Sequence, residues 1–289
     1  MIYSEPRFLP GGDRYVLIEF GNEMNLELNF VAQGLATAIA DARTRGIVET
    51  APCFASILIH YEPDQLSYDD LVTELTGLIA SLGPSEAIEL QSRLFYIPTM
   101  YLDPWTRECV EDYCSKIKRK EPDPEFIARI NGLADTADLV RVHSGTEYWV
   151  ASLGFWPGLP FMMPLDPRCR LTAPKYNPAR TWTPQGTVGM GGASTAIYPV
   201  ATPGGYQIFA RTPVPIWDPK RRFPVFQDSI VLFRASDRVR FVPVGREEFD
   251  WVEAKVSEGT YVYNFVEYQK FSVKQYKDWI RGLEEPTHS

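Results

Sequence analysis

Through the first hundred positions the apolar residues switch between two spacings. Arg14–Phe20 (RYVLIEF) and Ala55–Tyr61 (ASILIHY) are runs of branched and aromatic residues, closed by Gly21-Asn22 and Pro63-Asp64, and read as strands. Between them Leu28, Val31, Leu35 and Ile39 recur at helical spacing within Leu26–Arg43. Ser67, with Asp70 three residues on, opens a second helix whose stripe is Leu71, Leu75 and Leu78, and Gly83-Pro84 ends it. Leu94–Tyr101 supplies a third strand. The β-α-β-α-β order predicts a small α+β domain over residues 1–97.

Helical spacing returns between Trp105 and Val142, where Pro122-Asp123-Pro124 starts a short helix carrying Phe126, Ile127 and Ile130. The run KIKRKEPD reads as the solvated end of a helix. From Glu147 to Val244 the helical period vanishes. Short β-rich pieces take over: Tyr148–Leu153, Thr187–Met190, Ala196–Tyr198, Tyr206–Arg211, Ser229–Phe233 and Val239–Val244. This spacing suits a small closed β-barrel or sandwich, and the domain is drawn as residues 98–245. A polar tail, 246–289, follows as an extension, with a strand at Thr260–Val266 and a helix at Ser272–Leu283.

Composition sharpens the β assignment. The 289 residues include 20 Gly, 24 Pro and 38 aromatics (7 Trp, 15 Tyr, 16 Phe), a mixture that disfavours long helices. Six Gly and five Pro fall between Pro184 and Pro215. With 29 Lys+Arg against 37 Asp+Glu the net charge is −8, which argues against a nucleic-acid or anionic-membrane partner held by a basic face. Tyr148–Leu165 runs 18 residues without a charge, but Pro157, Pro160 and Pro164 interrupt it, so it reads as a buried loop and strand rather than a spanning helix. The N-terminal MIYSEPRFLPGGDR places charges and prolines where a leader would be apolar. Cys53, Cys109, Cys114 and Cys169 form no C-x-x-C pair; reduced thiols and a cytoplasmic location are expected.

Familiar catalytic motifs are missing. The three histidines, His60, His143 and His288, are scattered, and no H-E-x-x-H, G-x-S-x-G or clustered Cys/His set occurs, so no metal site is expected. GTVGMGGAST lacks the Lys-Ser/Thr of a phosphate loop. What remains is a constellation with no nucleophile. Lys175, Tyr176, Asn177 and Arg180 precede Gly191 and Gly192, and Gly204, Gly205, Tyr206, Gln207 and Arg211 follow. Glycines let backbone N–H groups approach a ligand, Arg forks onto carboxylates, and Asn or Gln orients an amide. Such groups suit a planar amide or carboxylated substrate with developing oxyanion charge. The alternative is purely structural, with glycines turning barrel corners and arginines making internal pairs.

The run KYNPARTWTPQGTVGMGGASTAIYPVATPGGYQIFART (Lys175–Thr212) resembles the signature of a carboxyltransferase family. That family includes allophanate hydrolase subunit 1, the second subunit of bacterial 5-oxoprolinase, a kinase inhibitor of sporulating bacteria, and half of the urea carboxylase carboxyltransferase domain. GGDRYVLIEFG, SILIHYEP, LGFWPGLPFM and FRASDRVRFVPV occur in the matching order, and Cys109–Ala137 does not align. KYNPARTWTP with PGGYQ is most similar to the urea carboxylase branch, as is FSVKQYKDWI (Phe271–Ile280). Where the 5-oxoprolinase branch often has Asn-Gln, this chain has Ala193-Ser194.

The resemblance implies an α+β N-terminal domain followed by a cyclophilin-like β-barrel, and a site completed by a second homologous barrel subunit. It implies biotin-dependent carboxyl transfer to a urea-like amide or related small carbonyl compound. The alternatives are ATP-dependent amide or lactam hydrolysis and non-catalytic inhibition of a histidine kinase. No Met-Lys-Met occurs in the chain, so carboxybiotin would arrive on a separate biotin carrier served by a biotin carboxylase. Lys175, Asn177, Arg180 and Arg211 are the expected catalytic residues. Tyr176, Gly191, Gly192, Gly204, Gly205, Tyr206 and Gln207 are expected to bind substrate.

Overall fold

The computed structural model describes residues 1–283; His288 and the last residues of the tail lie outside them. The N-terminal sheet has four antiparallel strands, β1 (Ile2–Pro10), β2 (Tyr15–Gly21), β3 (Ile47–Pro52) and β4 (Ser56–Tyr61), in the order β1-β2-β4-β3. Helices α1 (Leu26–Ala42) and α2 (Tyr68–Leu82) lie between β2 and β3 and after β4. The Asn25 side chain caps α1 by accepting from Glu27 N–H, and Ser67 caps α2 by accepting from Asp70 N–H. Val16, Ile18, Ile57 and Ile59 of the sheet share a fully buried cluster with Leu35, Leu71 and Leu75 of the helices. Each such side chain contributes roughly 1.5–3 kcal/mol.

Sequence spacing does not anticipate β1 or β3. Both are edge strands with no buried residue; Pro6 lies within β1, and Pro10 and Pro52 end the two strands, so neither shows the alternation of a half-buried strand. The expected third strand, Leu94–Tyr101, is part of the longer β5 (Glu89–Tyr101), which belongs to the other sheet.

After β5 come α3 (Pro104–Lys116), α4 (Asp123–Ile130) and α5 (Thr136–Ser144), then β6 (Glu147–Leu153), β7 (Pro160–Pro164), β8 (Thr187–Gly191), β9 (Ser194–Ile197), β10 (Gln207–Arg211) and β11 (Arg238–Pro243). Helix α6 (Arg246–Glu258), β12 (Phe265–Ser272) and α7 (Val273–Arg281) end the described chain. The second sheet runs β10-β8-β9-β7-β6-β11-β5-β12, and β10 also pairs with β5 through Ala210↔Tyr101 and Arg211↔Met100. Seven strands therefore close into a ring. Its pairings are antiparallel except β5 with β11. Phe95, Val150, Met162, Val188, Phe209 and Phe241 meet in its buried core.

The uncharged Tyr148–Leu165 run is the β6–β7 hairpin, and no helix of the described residues is long and apolar enough to cross a membrane. Ser229–Phe233, expected as a strand, contributes only an isolated bridge between Trp217 and Val231. The chain divides into two compact units, Met1–Ser92 with the segment from Tyr268, and Arg93–Glu267. This corrects two expectations. The first boundary lies at 92/93 rather than 97, inside β5, and 246–289 is not a separate extension. Helix α6 buries Phe249 and Val252 and belongs to the strand-ring unit. Phe271 and Tyr276 lie 5.5 Å from the Phe30 ring in the N-terminal unit.

Candidate functional site

The segment Ala173–Arg180 is fastened by backbone bonds to two glycine turns. Ala173 exchanges bonds with Gly192, Tyr176 N–H donates to the Gly205 carbonyl at 2.6 Å, and Arg180 pairs with Gly204 in both directions. Gly192 takes a φ of +62°, a left-handed conformation that glycine adopts without strain. These ties bring Lys175, Gly204, Gly205 and Tyr206 to one shallow cleft of about 100 Å³, which Phe155 also lines. Lys175 is exposed, with its ammonium 5.4 Å from the centre of the Tyr206 ring. Burial pushes the Tyr206 hydroxyl up to about 12, so it is a neutral donor at physiological pH.

Gly191 and Gly204 serve tyrosine packing. A Cβ on Gly191 would lie 2.5 Å from two Tyr206 ring carbons, and one on Gly204 would lie 2.4 Å from the Tyr198 hydroxyl. Their N–H groups are not held open for a ligand at every point, since Gly204 N–H donates to Arg180 and Gly192 N–H to Ala173.

Three other expected residues turn inward. Arg180 is 2% exposed; it donates to the Tyr206 carbonyl and the Thr183 hydroxyl, and its guanidinium sits 4.5 Å from the Tyr176 ring centre. That geometry makes it a scaffold for Tyr206 rather than an open carboxylate clamp. Gln207 is buried, accepting from Lys120 Nζ at 2.8 Å and donating to the Pro174 carbonyl at 2.7 Å. Tyr176 donates its hydroxyl to Asp123 Oδ1 at 2.5 Å, and burial with that carboxylate raises its pKa far above the usual range.

Two expected residues stand apart. Asn177 is exposed on the 173–180 segment, its carbonyl accepting from Lys118 Nζ at 3.3 Å. Arg211 lines a different cavity, of about 220 Å³, with Gln185 and Glu253. There it donates to the Gln185 carbonyl at 2.9 Å and lies 4.5 Å from the Trp105 ring centre.

Lys120 and Asp123 are the functional-looking residues that spacing misses. They form a buried ion pair; Asp123 also accepts from Ile208 N–H at 2.7 Å, and the Lys120 ammonium lies 4.2 Å from the Tyr176 ring centre. Both line a cavity of about 390 Å³ beside Asp103, Val110 and Cys114. Burial raises the pKa of Asp103, whose carboxylate caps α3 through Thr106. The one available signal is an aspartate held between two prolines at a helix start, inside a run whose charges otherwise suggest solvent.

The sequence matches the family described as carboxyltransferase domain, subdomain C and D, over residues 6–227. The urea amidolyase of Saccharomyces cerevisiae is 34% identical over 277 residues, covering 94% of this chain and 15% of that protein. A 5-oxoprolinase component of Escherichia coli O157:H7, the second of that enzyme's lettered subunits, is 32% identical over 233 residues, 80% of this chain and 93% of that one. In fold, the crystal structure of the Kluyveromyces lactis urea carboxylase aligns at a TM-score of 0.84 and 30% identity, over 96% of this chain and 25% of the other. These relatives are components of enzymes. The chain belongs to the carboxyltransferase domain family, subdomains C and D, the family that the KYNPARTWTP…PGGYQ run resembles. It spans about 15% of the length of the urea amidolyases it matches.

Proposed function

We propose that this chain is a subunit of a carboxyltransferase that moves a carboxyl group onto urea-like amides or a related small carbonyl compound, with a second homologous barrel subunit completing the site. The ring of strands is read as cyclophilin-like. The observation that carries the proposal is the fold match to urea carboxylase across nearly the whole chain, together with a cleft that offers a cation and aromatic faces.

The cleft suits a carboxylated ureido ring: Phe155, Phe161 and Tyr206 give it flat apolar walls and Lys175 a positive charge. Carboxybiotin, brought by a separate carrier, would supply the carboxyl group there. Lys175 balances charge on the carboxylate and on the oxyanion that develops during transfer. Tyr206 is set in place by Gly191 below it and by the guanidinium of Arg180 on its carbonyl. Tyr176 and Gln207 hold the 173–180 segment through Asp123 and Pro174. Gly204 and Gly205 keep the cleft floor free of side chains. Asn177 acts at the rim facing the second subunit, on the acceptor amide, and Arg211 acts on a carboxylate from its separate cavity with Gln185 and Glu253.

A second reading is a 5-oxoprolinase-type hydrolase subunit. The observation in its favour is length, since this chain covers 93% of the E. coli 5-oxoprolinase component. Co-expression with the second barrel subunit, biotin carrier and biotin carboxylase, followed by assay of carboxylation of urea, guanidine and ketones, separates the two. Turnover that falls about 100-fold in Lys175→Met supports the carboxyltransferase. No turnover with any acceptor, but ATP-dependent lactam opening, moves the chain to the hydrolase. Full turnover in an assembled Asn177→Ala, Arg211→Ala variant removes those two from the site.

A further inference from the structure

Helix α3 turns one whole face to a cavity instead of to a core. Asp103, Thr106, Val110 and Cys114 recur at helical spacing along that face, with Arg107 and Glu111 beside them. The void they line holds about 390 Å³, a size within the roughly 300–1,000 Å³ of small-molecule sites. It shares no lining residue with the Lys175 cleft. Most of its wall falls within Cys109–Ala137, a stretch that carries none of the family's signature segments.

The polar groups of this cavity divide into those with partners and those without. On the floor, Lys120 donates to Gln207 at 2.8 Å and pairs with Asp123, whose carboxylate also accepts from the Tyr176 hydroxyl and Ile208 N–H. Asp103 accepts from the Thr106 N–H at 2.8 Å and from its hydroxyl at 2.6 Å. At the mouth, Arg107, Glu111 and Glu125 are exposed, and among the described residues none of their side chains makes a hydrogen bond or an ion pair. Arg107 and Glu111 stand one turn apart, about 5–6 Å between Cβ atoms, and still do not pair. Between mouth and floor the wall is apolar, built from Leu102, Val110, Pro124 and Ile208.

We propose that this cavity binds an α-amino acid with an apolar side chain. The ligand's carboxylate lies on Arg107 and its ammonium on Glu111; both branch from one carbon and so reach side chains a single turn apart. The hydrocarbon side chain enters over Val110 and Ile208, where burial of its carbons supplies affinity. The floor asks for no polar tip, because its charged groups already have partners. Glu125 adds a second negative charge at the mouth, which disfavours acidic side chains. A lone amine leaves Arg107 unanswered, a lone carboxylate leaves Glu111 unanswered, and glycine leaves the apolar wall uncovered. The site is separate from the carboxyl-transfer reading and does not depend on it.

Calorimetric titration of the full chain with L-leucine and L-phenylalanine tests this without requiring turnover. The controls are isopentylamine, which is leucine without its carboxylate, 4-methylpentanoate, which is leucine without its ammonium, glycine and L-glutamate. Leucine or phenylalanine should bind with a Kd below about 1 mM, and every control at least roughly tenfold more weakly. Arg107→Met and Glu111→Gln should each weaken the favoured amino acid about ten- to hundredfold. Both residues are exposed and without partners, so the melting temperature of each free variant should not move. The inference falls if neither amino acid binds, or if isopentylamine or 4-methylpentanoate binds as tightly as leucine. It falls too if both variants keep the wild-type affinity, including the case where they lose only assembly with a second subunit, which would make this face a protein contact. The two readings fail separately: absence of amino-acid binding leaves the Lys175 cleft as it was, and absence of carboxylation leaves this site standing.

Discussion

Replacing Lys120 with methionine keeps the stem and removes the ammonium. The Asp123 carboxylate is then left inside the protein with two donors, the Tyr176 hydroxyl and the Ile208 N–H. The Asp123 side chain is fully buried and that of Lys120 is 19% exposed. Removing one partner of a buried pair costs about 3–5 kcal/mol. Partial solvent access at Lys120 and the two donors left on Asp123 set the expectation at the lower end, about 3 kcal/mol. The pair lies in the unit Arg93–Glu267, and at that size each kcal/mol moves the midpoint by about 2–4 °C. A fall of roughly 6–12 °C should follow. Adding Asp123→Asn removes the stranded charge and should return about a third of the loss, a coupling that a double-mutant cycle reads directly. Scanning calorimetry and urea denaturation of the full chain measure both. A solvated helix end, as KIKRKEPD suggests, would give a change within about 0.5 kcal/mol. A shift below 2 °C for Lys120→Met, or a double variant no more stable than the single, would refute the buried pair, where 2 °C is about the effect of 1 kcal/mol.

Other expectations follow from the same packing. Burial pushes His143 down to about 3, so the unfolded chain binds the extra proton first. Stability is then full above pH about 6.5 and declines by about 1.4 kcal/mol per unit as pH falls towards 3; urea midpoints across pH should lose this slope in His143→Gln, and an unchanged acid limb would contradict it. Gly191→Ala puts a Cβ 2.5 Å from the Tyr206 ring; it should cost about 1–3 kcal/mol and alter the near-ultraviolet tyrosine signal, and an unaltered signal would argue against the packing. Arg180→Met strands the Tyr206 carbonyl and Thr183 hydroxyl, so denaturation should show a loss of about 1–3 kcal/mol. Lost turnover at full stability would instead make Arg180 a substrate contact.

Legibility in the sequence follows burial. Helices α1 and α2 are readable because Leu35, Leu71 and Leu75 repeat towards a core and Ser67 marks the start of α2. Strands β6, β8 and β10 are readable because nearly every residue is buried. The edge strands β1 and β3 carry no such pattern, and β7 is bracketed by Pro160 and Pro164. Helix α6 hides its stripe of Phe249, Val252 and Val256 among seven charged residues of thirteen. At the site, the glycines and tyrosines announce a special backbone, but side-chain direction is not legible. Arg180 and Lys175 are five residues apart in one motif, yet one is buried and the other exposed, because backbone bonds to Gly204 and Gly205 set how the segment is turned. Lys120 is hidden because a charge run says nothing of the Tyr176 and Gln207 partners supplied more than fifty residues later.

The N-terminal unit is discontinuous: its last elements come from the segment beginning at Tyr268, including the Phe271 and Tyr276 rings beside Phe30. During synthesis, residues 1–92 leave the ribosome first but lack the aromatic partners of Phe30 until the entire strand-ring unit has followed. The unit that starts the chain is therefore the one completed last. An early stop anywhere in the ring-forming region leaves the opening domain with an uncovered aromatic surface, ready for a chaperone or for aggregation.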